Sequence, residues 1–232
     1  EGYGVSYLRI SIGCSDCSSR VYTLCDTEGI DNFALQSDET NYIVPVLKEI
    51  LAINPNVKII ASPWTCPRWM KTTETLSGSY DSWTGGRLRP ARRSVYAQYF
   101  VKFIQAMQAE GISIYAVTPQ NEPLNKGNCA SLYMPWEDEA PFVRVLAGAF
   151  HKAGLTTKIY LYDHNYDYSG ISSQNDYPVH IYNQLGSNFD GADLIAGAAY
   201  HDYGGTSTEL SDIYSQAPTK EIIFSESSIG KW

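Results

Sequence analysis

The chain has 232 residues, 44% of them hydrophobic and 18% charged, with a formal net charge of −8 and a pI near 5.0. That composition suits one globular domain and argues against a phosphate-binding surface, since nucleic-acid binders carry a basic stripe. The one basic cluster, Arg87 to Arg93, reads as a solvated loop, and no apolar run of roughly 18 residues or more suggests a membrane span.

The chain opens at Glu1-Gly2-Tyr3-Gly4 and enters a strand candidate, Tyr7 to Ile12, within a few residues, as if cut from something longer; no signal peptide is visible. Cys14 and Cys17 follow as a lone C-x-x-C, without the second ligand pair of a zinc site or the helix start of a redox motif. With Cys25, Cys66 and Cys129 they read as structural or incidental thiols, a local disulfide being the lesser alternative. Apolar residues at three- and four-residue spacing predict a helix over Tyr42 to Ile53, then a strand over Val57 to Ala61 that runs into Ser62-Pro63-Trp64-Thr65. A helix over Val95 to Gln108 and the short link Glu110-Gly111 lead to a strand at Ile114 to Val117, which ends in Pro119-Gln120-Asn121-Glu122-Pro123. Helix Pro141 to Lys152, strand Lys158 to Tyr162, helix Val179 to Leu185, strand Leu194 to Ala199, helix Leu210 to Tyr214 and strand Glu221 to Phe224 complete the series.

Alternating strands and helices are the signature of parallel βα units. Loops after the strands are long and polar, whereas links from helix back to strand are short, so one face is elaborate and the other plain. An α/β barrel with its working loops at the strand exits has this property. A doubly wound open sheet shares it, but no Gly-x-Gly-x-x-Gly follows a strand, which ranks a dinucleotide-binding fold below the barrel. Six strands do not close an eight-stranded barrel, so about two βα units are expected outside this chain.

The strand exits collect Asp16, Trp64, Asn121 and Glu122, then Asp163, His164 and Asn165, then His201 and Tyr203, and finally Glu226. Asp16 suits either a turn cap or a sugar hydroxyl. Trp64 suits either the core or the floor under a sugar ring, as do many of the chain's 18 Tyr and five Trp; Tyr133, Trp136, Tyr166 and Tyr168 are candidates for the rim of a cleft. His201 and Tyr203 serve equally well as ordinary buried hydrogen-bonding groups. Asp163, His164 and His201 lack metal-binding spacing, and the reading calls for no metal and no cofactor. Glu122 and Glu226 are the minimal pair for cleaving a glycosidic bond. If they lie about 5 to 5.5 Å apart the reaction retains anomeric configuration, and at about 6.5 to 9.5 Å it inverts. The two strands stand three apart in the series, which puts the two carboxylates on opposing sides of one pocket.

These residues resemble glycoside hydrolase family 30, the group that contains the lysosomal glucosylceramidase. The matching segments are Leu8-Arg9-Ile10, Ser15-Asp16, Tyr22-Thr23, Ala61-Ser62-Pro63-Trp64-Thr65, Tyr99 to Phe103, Ala116 to Pro123, His201 and Phe224-Ser225-Glu226. Asn-Glu-Pro alone is shared by many barrel glycosidases, and Ser-Pro-Trp-Thr upstream narrows the field. The resemblance implies a (β/α)8 TIM barrel of which this chain carries strands 2 to 7, with Glu122 as acid/base after strand 4 and Glu226 as nucleophile after strand 7. It implies that Asn121 binds the sugar 2-hydroxyl, that Arg9 orients the carboxylates, and that Asp16 and Trp64 hold the glycone. It also implies that Tyr203 hydrogen-bonds the nucleophile and that His201 touches the sugar. Residues 1–232 would then be a catalytic barrel domain lacking its first and last βα units, a strand 8 Trp and Asn, and an accessory β-sandwich. The expected activity is a retaining β-glycoside hydrolase, glucosylceramidase-like, acting on an oligosaccharide or glycolipid β-glucoside in a secreted, periplasmic or lysosomal-type compartment. An endo-β-1,6-glucanase of the same family is the alternative, and a non-catalytic carbohydrate-binding barrel is the alternative from another class.

Overall fold

The computed structural model describes residues 4–228; the opening Glu1-Gly2-Tyr3 lies outside them. Its main sheet has six parallel strands in chain order: β1 (Tyr7–Ser11), β2 (Lys58–Ser62), β3 (Ile114–Val117), β4 (Lys158–Asn165), β5 (Ile195–His201) and β6 (Glu221–Glu226). Helices α1 (Val44–Ile53), α2 (Arg93–Ala109), α3 (Trp136–Lys152), α4 (Tyr177–Leu185) and α5 (Thr208–Gln216) fill the intervals between strands. A doubly wound sheet reverses its strand order at a switch point. No reversal occurs here, so the strands form the wall of a barrel. Among the described residues β1 and β6 each pair with one neighbour only.

Strand parity divides the side chains between two cores. Ile60, Ala116, Tyr160 and Ala199, from four neighbouring strands, pack together on the inner side of the wall. Ile59, Ala61, Val117, Ile159, Leu161, Ala198 and Tyr200 point the other way, into the layer shared with the helices. The predicted elements occur where expected, several with longer ends, while β1 stops one residue earlier than predicted and α1 and β5 start later, at Val44 and Ile195. α3 starts at Trp136 and carries Pro141 inside it, preceded by Glu137, Asp138 and Glu139 in its first turn. Apolar spacing places the helix start at Pro141, but the carboxylates of Glu137 and Asp138 at the positive end of the helix dipole support the earlier start. The cluster Arg87 to Arg93 is not a solvated run: Arg87 grips Asp138 at 2.6 and 2.8 Å, and Arg92 meets Glu28 at 2.6 Å. All five cysteines are free, with Cys14, Cys25 and Cys66 buried.

Two irregularities matter to the site. In β4, Tyr162 and Asp163 adopt positive φ (73° and 67°), and the β4–β5 register slips by one residue there. Tyr162 consequently joins Leu161 in the helix-side core, and Asp163 turns to the inside. The displaced Tyr162 N–H donates to Glu139 Oε1 (3.0 Å), and Tyr177 donates its hydroxyl to Oε2 (2.8 Å). Glu139 is fully enclosed, and burial pushes its carboxyl up to about 8 against those two donors. In β6 a second slip leaves Ser225 unpaired, so that Ser225 and Glu226 both reach inward contacts. A bulge shifts side-chain parity by one, and here it does so twice.

The β5–β6 contact is close at Gly197, where any Cβ would run into the Glu221 carbonyl oxygen. Gly197→Ala is expected to cost about 2 to 3 kcal/mol by overpacking. Denaturant unfolding of the variant against the parent protein checks this, and a change within about 0.5 kcal/mol would contradict it.

Candidate active site

At the strand-exit end, Asp16, Trp64, Asn121, Glu122, Asn125, Asn128, Tyr203 and Glu226 line a cleft of about 280 Å³. An adjoining hollow shares Asp16, Trp64, Tyr203 and Glu226 and adds Ser15, Cys17, Ser227 and Ser228. The structure thus brings Asp16, Trp64, Asn121, Glu122, Tyr203 and Glu226 to one cleft, with Arg9 and His201 beneath.

Arg9 is the organiser. Its guanidinium donates to Glu226 Oε2 at 2.6 Å, to Asn121 Oδ1 at 2.7 Å, to Asp163 Oδ2 at 2.6 Å and to Ser62 Oγ at 3.2 Å. It also faces the Trp64 ring at 5.0 Å. A planar fork with five donors can serve this many acceptors at once, which a lysine cannot. Tyr203 donates its hydroxyl to Glu226 Oε1 at 3.1 Å, as the resemblance implies. Glu226 therefore accepts from a cation on one oxygen and a phenol on the other.

Glu122 has different surroundings. Its backbone is held at φ 45°, in the left-handed region, with its N–H donating to Asp163 O at 3.0 Å. A non-glycine residue pays of order 1–3 kcal/mol for such a conformation, which persists only where neighbours over-determine it. Asn125 and Asn128 donate side-chain amides to Oε2 at 2.9 and 2.7 Å. Oε1 lies 3.7 Å from both His164 Nε2 and His201 Nδ1, too far for hydrogen bonds but close enough for charge to act.

His201 is fully buried and donates Nε2–H to Asp163 Oδ1 at 2.9 Å. The expected sugar contact is not where this ring sits; enclosed beneath the cleft, it lies between Asp163 and the two glutamates, 3.9 Å from Glu226 Oε2. Burial alone would push the imidazole down, yet the bond and charge of Asp163 outweigh it and raise His201 to about 9. His164 meets the opposite fate, with burial dominating and lowering it to about 4. Burial pushes the Glu122 carboxyl up, but His201 above all pulls it net below its ordinary value. His164, neutral near pH 7, adds no charge of its own there.

Glu122, His201 and Glu226 offer ligand atoms all within 4.8 Å of one another, a set that a divalent cation could use. Arg9 and a protonated His201 already supply positive charge to these carboxylates, so the donor set fits a metal poorly.

Asp16 is exposed at the rim, and its turn is capped by others: Ser15 N–H donates to Ser18 Oγ (2.9 Å) and Cys17 N–H to Ser15 Oγ (3.2 Å). Trp64 is 7% exposed, at once core residue and cleft wall. The expected rim aromatics lie elsewhere: Tyr168 is buried with its hydroxyl near Tyr200, Tyr166 stacks on Tyr200, Trp136 stacks on His180, and Tyr133 sits under Lys126. Sequence reasoning left Asp163 out of the site, though it stood among the strand-exit residues, and did not single out Asn125; Asn128 lies in the loop Leu124 to Trp136, where the resemblance implies that the leaving group rests. Gln120 was also missed; it donates to Trp64 O at 2.7 Å and so ties the indole to the Glu122 turn.

His201, raised from its ordinary 6.5 to about 9, stabilises the fold fully below about pH 6.5, and this contribution disappears as pH rises through about 9. The difference in unfolding free energy between the parent protein and His201→Gln is therefore expected to shrink by about 3 kcal/mol over that window. Denaturant titrations at several pH values check this, and a pH-independent difference would contradict it.

The family model described as the glycosyl hydrolase family 30 TIM-barrel domain matches residues 1–232. An endo-1,6-beta-D-glucanase of Neurospora crassa is 32% identical over 209 residues, covering 87% of this chain and 40% of the relative. A putative glucosylceramidase of Caenorhabditis elegans is 27% identical, covering 99% of this chain and 44% of the relative. A solved endo-beta1,6-glucanase superposes with a TM-score of 0.95 at 58% identity, covering all of this chain and 51% of that one. The chain thus spans about half the length, or less, of the proteins it matches. With six parallel strands in chain order and a family match from end to end, the chain belongs to glycosyl hydrolase family 30 and has the TIM-barrel fold of that family.

Proposed function

We propose that the protein is a retaining β-glycoside hydrolase cleaving β-glucosidic bonds by double displacement, with Glu122 as acid/base and Glu226 as nucleophile. The observation that carries this reading is an oxygen of each glutamate within 4.8 Å across one polar cleft. Oxygens this close support a retaining pair, with carboxyl groups about 5 to 5.5 Å apart, over an inverting pair at about 6.5 to 9.5 Å. The donors divide the roles. Arg9 and Tyr203 hold Glu226 as an acceptor aimed at the anomeric carbon, while Glu122 sits across from it beside the leaving-group side.

In the first step Glu226 attacks C1 and Glu122 gives its proton to the departing oxygen. The negative charge of Glu226 within 4.8 Å works toward keeping that proton, against the net pull of His201 toward ionisation. Once Glu226 is an ester its charge is gone, and Glu122, drawn toward ionisation by His201, takes a proton from the water that attacks the same carbon. Asn121, oriented by Arg9, supplies an amide to the sugar 2-hydroxyl, and Asp16 and Trp64 hold the glycone.

β-1,6-linked glucan is the substrate that the cleft favours. Its lining is carboxylate, amide and phenol around one indole, which suits a hydroxyl-rich saccharide better than a lipid, and the 58% identical structure is an endo-beta1,6-glucanase. The glucosylceramidase-like reading uses the same chemistry on a different leaving group. In the whole protein, two further βα units pair with β1 and β6 and an accessory β-sandwich packs beside the barrel. The apolar groove over Leu8, Ile10, Tyr42, Val46 and Ile50 supports the added units.

Glu122→Ala is expected to slow substrates with poor leaving groups by about 10²–10⁴-fold, far less with good ones, and to be rescued by azide. Glu226→Gln is expected to remove turnover of an aryl β-glucoside. Unchanged turnover in that variant would leave a non-catalytic carbohydrate-binding barrel as the better reading, and an inverted product anomer by NMR would reject double displacement. Because the charge of His201 holds Glu122 down, His201→Gln is expected to move the basic limb of the kcat/KM profile to higher pH; an unmoved limb would refute the coupling.

A further inference from the structure

Glu139 stands on the helix side of the wall, in the first turn of α3, wholly enclosed. Among the described residues the ionisable groups around it are Tyr162 and Asp163 on β4, Tyr177 and Tyr182 on α4, and Glu137 and Asp138 on its own helix. None of these is a cation. The arginines near this turn go to its neighbour instead: Arg87 meets Asp138 at 2.6 Å and Arg93 meets it at 3.9 Å. A carboxylate so placed would hold a full charge out of water with no counter-ion.

The hydrogen bonds around Glu139 call for one more hydrogen than an ionised carboxylate allows. Oε1 accepts the displaced Tyr162 N–H at 3.0 Å. Oε2 lies 2.8 Å from the Tyr177 hydroxyl, and that hydroxyl lies 2.5 Å from the carbonyl oxygen of Met134. Tyr177 has a single hydrogen to give and two acceptors at bonding distance. An ionised Glu139 would take it and leave the buried Met134 carbonyl against a bare hydroxyl oxygen. With a proton on Oε2 the 2.8 Å contact reverses: Glu139 donates to Tyr177, Tyr177 donates to Met134, and every polar atom in the row is satisfied.

Both ends of this row reach the site. The Tyr162 N–H is the one freed by the β4 bulge, which turns Asp163 inward to Arg9 and His201. Met134 closes the loop after β3. Its N–H donates to Pro123 O at 2.8 Å, next to Glu122, whose own N–H donates to Asp163 O at 3.0 Å. We propose that Glu139 is a positioning residue of the active site: as a neutral carboxylic acid it holds the β4 bulge with one oxygen and, by donating through Tyr177 to Met134, the Glu122 turn with the other. Asp163 and Glu122 thereby keep their places beneath and beside the cleft. The catalytic consequence rests on the assignment of Glu122 and Glu226; the neutral form and the hold on Asp163 do not.

Glu139→Gln keeps the acceptor for Tyr162 and offers an N–H to Tyr177, whereas Glu139→Leu offers neither. Difference infrared spectroscopy of the parent protein against Glu139→Gln is expected to show the carbonyl band of a protonated carboxylic acid, lost as pH rises through about 8; no band at about pH 6 would overturn the neutral form. NMR titration of His201 reports whether Asp163 is in place. It is expected near 9 in the parent and in Glu139→Gln, and lower by about one pH unit or more in Glu139→Leu. An unmoved His201 in a folded Glu139→Leu would overturn the hold on the bulge. On an aryl β-glucoside, Glu139→Leu and Tyr177→Phe are each expected to lower kcat about tenfold with KM changed by less than about twofold, and Glu139→Gln to restore kcat to within about twofold of the parent. Tyr177→Phe keeps the carboxyl and its bond to the bulge, so it serves if Glu139→Leu does not fold; full kcat in that variant would overturn the link to the Glu122 turn. A parent protein inactive on β-glucosides would reject the proposed function, while the infrared band and the His201 titration would still decide the role of Glu139.

Discussion

One buried carboxylate holds the catalytic end of this barrel together. Asp163 is wholly enclosed, yet it accepts from Arg9 on β1, Ser62 on β2, Thr118 just past β3, His201 on β5 and Ser225 on β6, at 2.6 to 3.0 Å. Nearly every strand of the wall contributes a donor. Taking such a charge out of water costs several kcal/mol, and the cost is met only where cations and hydrogen bonds surround it. Arg9 and His201 provide the cations, and as a result the Asp163 carboxyl lies well below its ordinary value even though burial pushes it up. The strands are thus tied at their upper ends by an anion whose donors are themselves the groups that position both glutamates.

From that anchor the two glutamates acquire different characters. Arg9 bridges Asp163 to Glu226, so the nucleophile candidate shares its cation with a permanent anion. His201 bridges Asp163 toward Glu122, so the acid/base candidate feels a charge rather than a hydrogen bond. Two like groups with unlike neighbours are the usual physical basis for dividing acid and nucleophile roles at one pH. The histidine pair is divided in the same way, His201 charged by its carboxylate and His164 neutral through burial.

The long strand-exit loops are no less constrained than the strands. Lys71 is fully buried, with its ammonium donating to the carbonyls of Trp83, Gly85 and Ser131, and burial lowers it to about 8. One cation thereby fastens the loop after β2 to the loop after β3. Nothing in the local sequence marks this lysine, because its acceptors are main-chain carbonyls and main-chain acceptors leave no residue pattern. The same holds for Asn125 and Asn128: two asparagines in a polar loop resemble a turn, and only the fold brings them over a carboxylate.

Sequence alone determined the alternation of strands and helices, the elaborate and plain faces, and the placing of Glu122 and Glu226 at strand ends three apart. Those features live in local periodicity and in the short motifs Ser-Pro-Trp-Thr and Pro-Gln-Asn-Glu-Pro, which survive without knowledge of any contact. Tertiary structure alone decided which side chains face the cleft. Period-two parity predicts that Asp163 and Glu226 point toward the helices, and two single-residue bulges, at Tyr162–Asp163 and at Ser225, turn them inward. A bulge depends on pairing with the neighbouring strand and on a distant acceptor such as Glu139 for the displaced N–H. Neither is written in the residues at the bulge, and so the ion network beneath the cleft becomes visible only once the strands stand side by side.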